Sequence, residues 1–346
     1  MHSVAIIGAG HMGRIRAHEI LKSPGSRIAI IADTDVARAK HLAGAMGAEV
    51  TGDWQECLLD PRIDVVVVST PTKFHAATAI KALANGKHVL CEKPLARSVP
   101  EATEVIEVAN EFGRILKTGF NYRYLDHVEQ AKALLDLEEL GPIYFLRCRY
   151  GHGGRPSYEN HWYTDRELSG GGVLLEQGIH VVDLVRHLLG EPAKVLGSVS
   201  RAFWNFPDVE DNCFLLLETE DGQTAQIHVS WTQWTNLFSL EIFGRDGFVE
   251  LTGRDGHYGP PRLIWSKRKA DHSRPEEEVF EYPPQNNSWQ REWADFMNAI
   301  ETGSQPQGNC NDALRAQQIV EAAYESSNRQ LWVKVSHSAE FLESTR

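Results

Sequence analysis

The side chains best suited to proton transfer stand in two short segments of the sequence. Lys93 lies in the run Glu92-Lys93-Pro94, and His180 follows a glycine-rich run that also contains Glu176. Oxidation of a secondary alcohol requires a base for the hydroxyl proton while hydride leaves the same carbon. Imidazole titrates close to neutral pH and can serve as that base, and a neighbouring carboxylate can orient it. These residue types therefore predict acid–base chemistry, and a base of this kind would suit such a reaction.

The position of Lys93 is set by the residues on either side of it. The apolar run His88–Cys91 predicts a buried strand, so Lys93 follows the carboxyl end of a strand, where open α/β sheets bind ligands. Pro94 restricts Lys93 to an extended conformation, which aims its side chain. An ordinary surface lysine beside a turn is the competing interpretation.

The second segment places four polar side chains at helical spacing. Glu176, His180, Asp183 and His187 follow one another at intervals of four, three and four residues within an otherwise apolar run. If the segment is helical throughout, they share one stripe, which must face water, a partner or a site. A solvated helix face with a satisfied histidine explains the pattern equally well.

A glycine motif close to the first residue predicts a dinucleotide site. The sequence Gly8-Ala9-Gly10-His11-Met12-Gly13 follows a short apolar strand and opens a helix. In this context the first glycine permits a tight turn, the second lets the backbone approach a pyrophosphate, and the third lets the helix pack closely. Asp33 lies 20 residues after Gly13, where its carboxylate can accept from both ribose hydroxyls and would repel a 2′-phosphate. The motif therefore favours NAD over NADP, and a glycine-rich turn in another kind of α/β protein is the alternative.

Hydrophobic periodicity predicts two domains. Through residue 122, five fully apolar strands alternate with helices, which indicates an α/β domain with a parallel sheet covered on both faces. Residues 123–335 contain several strands, two pairs of them joined by Asp-Gly turns, which is typical of an α+β domain with an open, mostly antiparallel sheet. The pattern also predicts a polar excursion or lid edge over residues 267–287 and a polar tail over residues 336–346.

Composition limits the classes of partner and compartment. The 346 residues carry a formal net charge of −12, which disfavours nucleic acids and anionic membranes, and no apolar run is long enough to span a bilayer. Five scattered cysteines indicate reduced thiols, and with no evident targeting segment they predict a cytoplasmic protein. His152 and His161 are the nearest approach to a metal pair, but no third ligand has suitable spacing, so no metal is expected.

Taken together, the motifs resemble the glucose–fructose oxidoreductase / inositol dehydrogenase family, Gfo/Idh/MocA. The resemblance extends from Val4 to about Val335. The motifs that carry it are Gly8-Ala9-Gly10-His11-Met12-Gly13, Ser69-Thr70-Pro71 with His75, Glu92-Lys93-Pro94, Gly119-Phe120-Asn121-Tyr122-Arg123 and the run from Gly171 to Asp183. The resemblance implies a Rossmann domain joined to a domain whose open sheet commonly forms a dimer or tetramer interface. It also implies an NAD-dependent oxidoreductase that acts on a secondary alcohol of a sugar, cyclitol or nucleotide-linked sugar.

The resemblance assigns roles to individual residues. Lys93 and His180 are implied to be catalytic with help from Glu176, where the family usually carries aspartate, and the Lys93–Pro94 bond is expected to be cis. The residues expected at the cofactor are Gly8, Gly10, His11, Met12, Gly13, Asp33, Arg38, Thr70, Pro71, His75, Glu92 and Lys93. The residues expected at the substrate are Tyr122, Arg123, Arg155, Trp162, Tyr163, Gln177 and His180. Trp162 and Tyr163 lie in a loop expected beside the site, where their rings suit a sugar face and Arg155 and Arg123 suit a carboxylate or phosphate. Packing of the aromatic rings within the domain is the competing interpretation.

Two other functions remain open from the sequence. NAD could stay bound and be recycled within each turnover, as in an epimerase, lyase or glycosidase, and no net NADH would then form. The protein could instead be a non-catalytic NAD-responsive binding module, although a sensor would not need both Lys93 and His180.

Overall fold

Two sheets organise the chain in the computed structural model, which describes residues 1–336. The predicted polar tail lies outside the described residues except for its first position. Within residues 1–336, no helix combines the length and apolarity needed to cross a bilayer.

The first sheet is parallel and is built from the alternating strands and helices that periodicity predicts. Its elements are β1 (His2–Ile7), α1 (His11–Leu21), β2 (Ser26–Ala32), α2 (Val36–Ala43), β3 (Glu49–Thr51), α3 (Trp54–Leu59), β4 (Val65–Val68), α4 (His75–Ala84), β5 (His88–Cys91), α5 (Val99–Glu111) and β6 (Leu116–Thr118). The strand order is β3-β2-β1-β4-β5-β6, with every neighbouring pair parallel. Strand β4 is buried along its whole length, because helices cover both faces of the sheet. This is the doubly wound Rossmann order, and the predicted domain type is confirmed.

The sequence prediction missed β3 and α3. Strand β3 has only three residues, none of them fully buried, and it forms the edge of the sheet. Helix α3 has six residues. Elements this short do not complete a hydrophobic period, so they give no readable pattern.

The second sheet is open and mostly antiparallel, as predicted. The elements around and within it are α6 (Asp126–Asp136), β7 (Ile143–Gly151), α7 (Arg166–Ser169), α8 (Ile179–Leu189), β8 (Pro192–Ser200), β9 (Asn212–Thr219), β10 (Thr224–Ser230), β11 (Leu237–Gly244), β12 (Gly247–Thr252), β13 (Arg262–Lys267), β14 (Glu277–Glu281), α9 (Ser288–Thr302), α10 (Cys310–Arg329) and β15 (Val333–Lys334). The order is β14-β13-β12-β11-β7-β10-β9-β8-β15, and among these neighbours only β7 and β10 run parallel. The predicted Asp-Gly turns join the antiparallel pairs β9–β10 and β11–β12.

The predicted excursion over residues 267–287 is wrong in part. Its Glu277–Glu281 segment is β14, which pairs with β13 and closes one edge of the sheet. The strand is acidic and mostly exposed, with Phe280 its least exposed residue. Charged side chains at an edge strand hinder pairing with another chain, and they also hide the strand from a hydrophobicity pattern.

Helix α9 belongs spatially to the first sheet, although it follows the strands of the second sheet in sequence. Trp293 and Phe296 are buried in the apolar cluster that contains Val4, Ile6 and Ile28 of the first sheet. Residues on both sides of the predicted boundary at residue 122 therefore contribute to the core around the first sheet, so this boundary does not separate one core from the other.

Candidate active site

A cavity of about 1000 Å³ lies between the glycine turn after β1 and the loop that follows β7. Eleven of the twelve residues expected at the cofactor line it, and so do Arg155, Trp162, Tyr163 and Glu176. The twelfth, Gly13, does not line the cavity but packs against the turn itself. Residues from the first sheet and from the loop of the second sheet thus share one cavity.

The glycine turn fits a dinucleotide at each of its three glycines. Gly8 has φ +101°, a left-handed conformation that side chains disfavour. A Cβ on Gly13 would lie 1.9 Å from the carbonyl oxygen of Gly8, so only glycine lets α1 approach the turn. A Cβ on Gly10 would meet no atom within 4 Å, and no side chain caps the first amides of α1. These amides remain available to a pyrophosphate at the positive end of the helix dipole.

Asp33 is held rigidly just beyond the end of β2. Its two carboxylate oxygens accept from the backbone N–H groups of Ala9 and Asp35, each at 2.8 Å. Arg38 lies 3.7 Å from the same carboxylate and 3.2 Å from Asp35. A fixed carboxylate in this place suits the ribose hydroxyls of NAD.

His75 ties together the two loops that border the middle of the cavity. Its Nδ1 lies 2.8 Å from the carbonyl oxygen of Pro94, and its Nε2 lies 2.8 Å from that of Thr70. The ring is buried, and that burial lowers the pKa of His75. The Lys93–Pro94 peptide bond is cis, as expected.

Lys93 and Glu176 meet at the junction of the two sheets. The Lys93 ammonium donates to the backbone carbonyl of Glu176 at 2.6 Å and to its carboxylate at 3.0 Å. Glu176 belongs to a π-helical turn, Leu174–Gly178, that leads directly into α8. The Glu176 side chain is one methylene longer than the aspartate that the resemblance leads one to expect at this position, and it still contacts Lys93.

His180 lies off the wall of this cavity. It is 6 % exposed and stacks on Tyr122 with ring centres 4.0 Å apart and planes within 4° of parallel. Its Nδ1 is buried and has no hydrogen-bond partner. Burial, followed by the charges of Lys93, Arg254 and Arg16, lowers the pKa of His180 well below its usual 6.5, so the imidazole is neutral.

The predicted polar stripe does not exist as one face. The π-helical turn shifts Glu176 relative to α8, and Asp183 is fully buried instead of sharing a face with a site. Arg123 donates two hydrogen bonds to Asp183, at 2.8 and 2.6 Å, and lies 3.0 Å from Asp312. The assignment of Arg123 to a substrate anion is therefore wrong, because buried carboxylates already neutralise its charge.

Two further residues expected at the substrate lie away from the cavity wall. Gln177 is buried and accepts from the indole N–H of Trp231 at 3.0 Å. Tyr122 is buried beneath His180, and its hydroxyl bonds within the protein. Neither residue lines the cavity.

The loop after β7 brings Arg155, Trp162 and Tyr163 to the cavity. The Arg155 guanidinium donates to His161 at 3.1 Å and to the Tyr163 hydroxyl at 3.1 Å. His161 and Tyr163 stack with ring centres 5.0 Å apart. His161 also lines the cavity, a role that its sequence pattern does not indicate. Across residues 1–336, no three His, Cys, Asp or Glu side chains are grouped to hold a metal ion.

The fold and this cavity together define an NAD-binding oxidoreductase with a Rossmann domain. The chain belongs to the Gfo/Idh/MocA family. Residues 2–120 match the family described as "Oxidoreductase family, NAD-binding Rossmann fold", and residues 128–250 match the "GFO/IDH/MocA C-terminal domain".

Several characterised proteins are similar over most of the chain. The scyllo-inositol 2-dehydrogenase (NAD(+)) of Bacillus subtilis is 30% identical over 255 residues, which cover 71% of this chain and 72% of that protein. The inositol 2-dehydrogenase of Rhizobium meliloti is 28% identical, covering 93% of this chain and 95% of its own. A solved structure of levoglucosan dehydrogenase in complex with NADH and levoglucosan superposes with a TM-score of 0.88 at 25% identity, covering 97% of this chain and 99% of that one.

Proposed function

We propose that the protein is an NAD-dependent dehydrogenase that oxidises a secondary alcohol of a sugar or cyclitol. The observation that carries the proposal is the position of Lys93, whose ammonium lines the same cavity as the glycine turn and the aromatic loop. Relatives with names such as scyllo-inositol 2-dehydrogenase and inositol 2-dehydrogenase support this substrate class.

Different residues of the cavity would bind the cofactor and the substrate. Gly10 and the first amides of α1 would hold the pyrophosphate of NAD, and Asp33 would accept from its adenosine ribose. Trp162 and Tyr163 offer aromatic faces to the apolar face of a sugar ring. Bound NAD supplies the acceptor for the hydride that leaves the alcohol carbon.

Lys93 and His180 would act on the alcohol oxygen and its proton. Lys93 is tethered by the Glu176 carbonyl and carboxylate, which leaves one N–H of its ammonium to donate to the reacting oxygen. His180 lies behind the cavity wall, so its neutral imidazole would receive the hydroxyl proton by relay and not by direct contact with the substrate. Glu176 orients Lys93 in this arrangement.

The test is a screen of cyclitols, sugars and nucleotide sugars for NAD reduction, followed in absorbance. With an active substrate, Lys93→Ala should reduce kcat/KM by at least ~10²-fold, the scale of a positioned acid–base group, while NAD still binds. Lys22→Ala, at an exposed lysine paired with Glu19, is the matched control and should keep full activity. Full activity of Lys93→Ala would overturn the proposal, and product formed without net NADH would indicate cofactor recycling instead.

The exposed face of the second sheet supports a homodimer or homotetramer. Phe145, Phe243 and Phe248 stack along it with ring centres 5.0 and 5.1 Å apart, and Phe214 and Leu216 on β9 are exposed. Burying these side chains against a second copy would remove apolar surface from water. Light scattering should give a mass of two or four chains, and Phe214→Asp with Leu216→Asp should shift it towards one.

The five reduced cysteines, all buried, support a cytoplasmic location.

A further inference from the structure

An aromatic cluster without an assigned role lies directly behind His180. Tyr122 stacks on the imidazole, and Tyr150 meets Tyr122 edge-on with ring centres 5.7 Å apart. The hydroxyls of Tyr122 and Tyr150 lie 2.5 Å from each other. The second sheet thus reaches His180 through Tyr150, at the end of β7, although His180 itself is on α8.

Arg254 places a nearly buried cation at the centre of this cluster. It follows β12, and its side chain is only 14% exposed. Its guanidinium donates to the hydroxyls of both Tyr122 and Tyr150 and lies 4.1 Å from the centre of the Tyr258 ring. Asp255 is its ion-pair partner at 2.6 Å. A cation with this many partners is fixed in position, because each contact restricts a different part of the guanidinium.

We propose that Arg254 is a positioning residue for His180 that acts through the stacked ring of Tyr122. The hydrogen bond from Arg254 fixes the Tyr122 ring, and the parallel stack then fixes the plane of the imidazole. No hydrogen bond holds Nδ1 of His180, and of its two ring contacts the stack on Tyr122, with ring centres 4.0 Å apart against 6.1 Å for Phe120, is the closer one. The proposal rests on the proposed function, since it assumes that His180 receives the substrate proton.

The charge of Arg254 has a second effect on the same ring. The groups that face His180 are Lys93 after β5, Arg16 on α1, Arg254 after β12, and the rings of Tyr122 and Phe120. The three cations all oppose protonation of the imidazole. Arg254 therefore adds to burial and to Lys93 in favouring the neutral form of His180, which can accept a proton.

A purely structural role for the cluster makes a different prediction. If Arg254 only joined β12 to the segment around Tyr122, its loss would lower stability without changing how His180 titrates. The titration of His180 can be followed by NMR of labelled imidazole in the enzyme without substrate. This measurement does not depend on any substrate being known, so it separates failure of this proposal from failure of the proposed function.

The decisive comparison uses Arg254→Met, Arg254→Lys and the matched control Tyr150→Phe. Arg254→Met should raise the pH at which His180 titrates by about 1 unit, the scale of one nearby charge, and Arg254→Lys should return it towards the wild-type position. Tyr150→Phe keeps Arg254 and the stacked ring, so it should titrate as the wild type does. The proposal would be overturned if His180 titrates at the same pH in Arg254→Met as in the wild type, or if its imidazole stays neutral in both over the measured range.

Kinetics provide the second measurement. Once a substrate is known, Arg254→Met should lower kcat about tenfold, the size of a coupling within one hydrogen-bond network, and leave the KM for NAD unchanged. If that variant does not fold, Tyr122→Phe keeps the stack but removes the hydroxyl that Arg254 contacts, and it should lower kcat more than Tyr150→Phe does. Equal effects of these two phenylalanine variants would contradict the proposed route.

Discussion

At the scale of single residues, the most informative contact is the double attachment of Lys93 to Glu176. One hydrogen bond goes to the backbone carbonyl and the other to the carboxylate. The backbone bond does not depend on the side chain at position 176. A family position that usually carries aspartate can therefore accept glutamate without releasing the lysine.

This double attachment predicts a mild effect for Glu176→Gln. The substitution removes the carboxylate charge but leaves the carbonyl at 2.6 Å, so Lys93 stays in place. We expect kcat/KM to fall by about tenfold or less, against at least ~10²-fold for Lys93→Ala. Steady-state kinetics of the two variants with one substrate test this, and a loss as deep as that of Lys93→Ala would show that the charge itself is essential.

Positions that follow from a local turn are predictable from the sequence, and Gly8, Gly10 and Lys93 lie where their neighbours in the chain predict. The surroundings of Arg123 and His180 are not predictable in this way, because their partners Asp312 and Tyr122 are distant in sequence. Spacing along a chain contains no information about such partners, so neither the burial of His180 nor the neutralisation of Arg123 was predictable.

At the scale of elements, a buried ion cluster connects α1, the end of β5 and α9. Arg16 on α1 contacts Glu92 at 2.6 Å and Glu292 on α9 at 2.5 Å. All three side chains are almost completely buried. Glu92 also lines the cavity next to Lys93, so the cluster links the placement of α9 to the cofactor side of the site.

Removal of Arg16 should therefore be costly. Arg16→Met leaves Glu92 buried without its partner and leaves Glu292 with only Lys117, 3.9 Å away, so we expect the free energy of unfolding to fall by about 3–5 kcal/mol. Arg14→Met, on the same helix but exposed, should change it by about 0.5 kcal/mol or less. Urea unfolding of the two variants makes the comparison, and equal stabilities would show that the cluster contributes nothing.

The elements that sequence predicted best are those with complete hydrophobic periods. Strand β5 has the bounds that the apolar run His88–Cys91 predicts. The failures are β3 and α3, which are short, and β14, which is acidic; both strands lie at the edge of a sheet. The π-helical turn at Leu174–Gly178 was also unpredictable, because its residues show the same apolar spacing as an α-helix.

At the scale of the whole molecule, buried neutral histidines make stability depend on pH. His127 is fully buried, with Nε2 at 3.1 Å from the carbonyl oxygen of Gly253. Desolvation by burial lowers its pKa from 6.5 to about 4. Between these values the unfolded chain binds a proton that the folded protein does not, so stability is complete above pH 6.5 and falls as the pH falls towards 4.

The expected size of this effect is measurable. From pH 7 to pH 5, His127 alone should reduce the free energy of unfolding by about 2 kcal/mol. His127→Gln cannot titrate, so its stability should decline by that much less over the same interval. Urea unfolding at the two pH values tests the difference, and parallel declines of variant and wild type would contradict the assignment.

The return of α9 to the first sheet bears on how this enzyme can be recombined with its relatives. A chimera joined at residue 122 would combine the Rossmann sheet of one parent with the α9 of the other. Trp293, Phe296 and Glu292 would then have to fit a foreign α1 and a foreign Arg16. A graft of the nucleotide-binding half that also carries residues 288–302 keeps these contacts from one parent, while the second sheet and the aromatic loop after β7 come from the other.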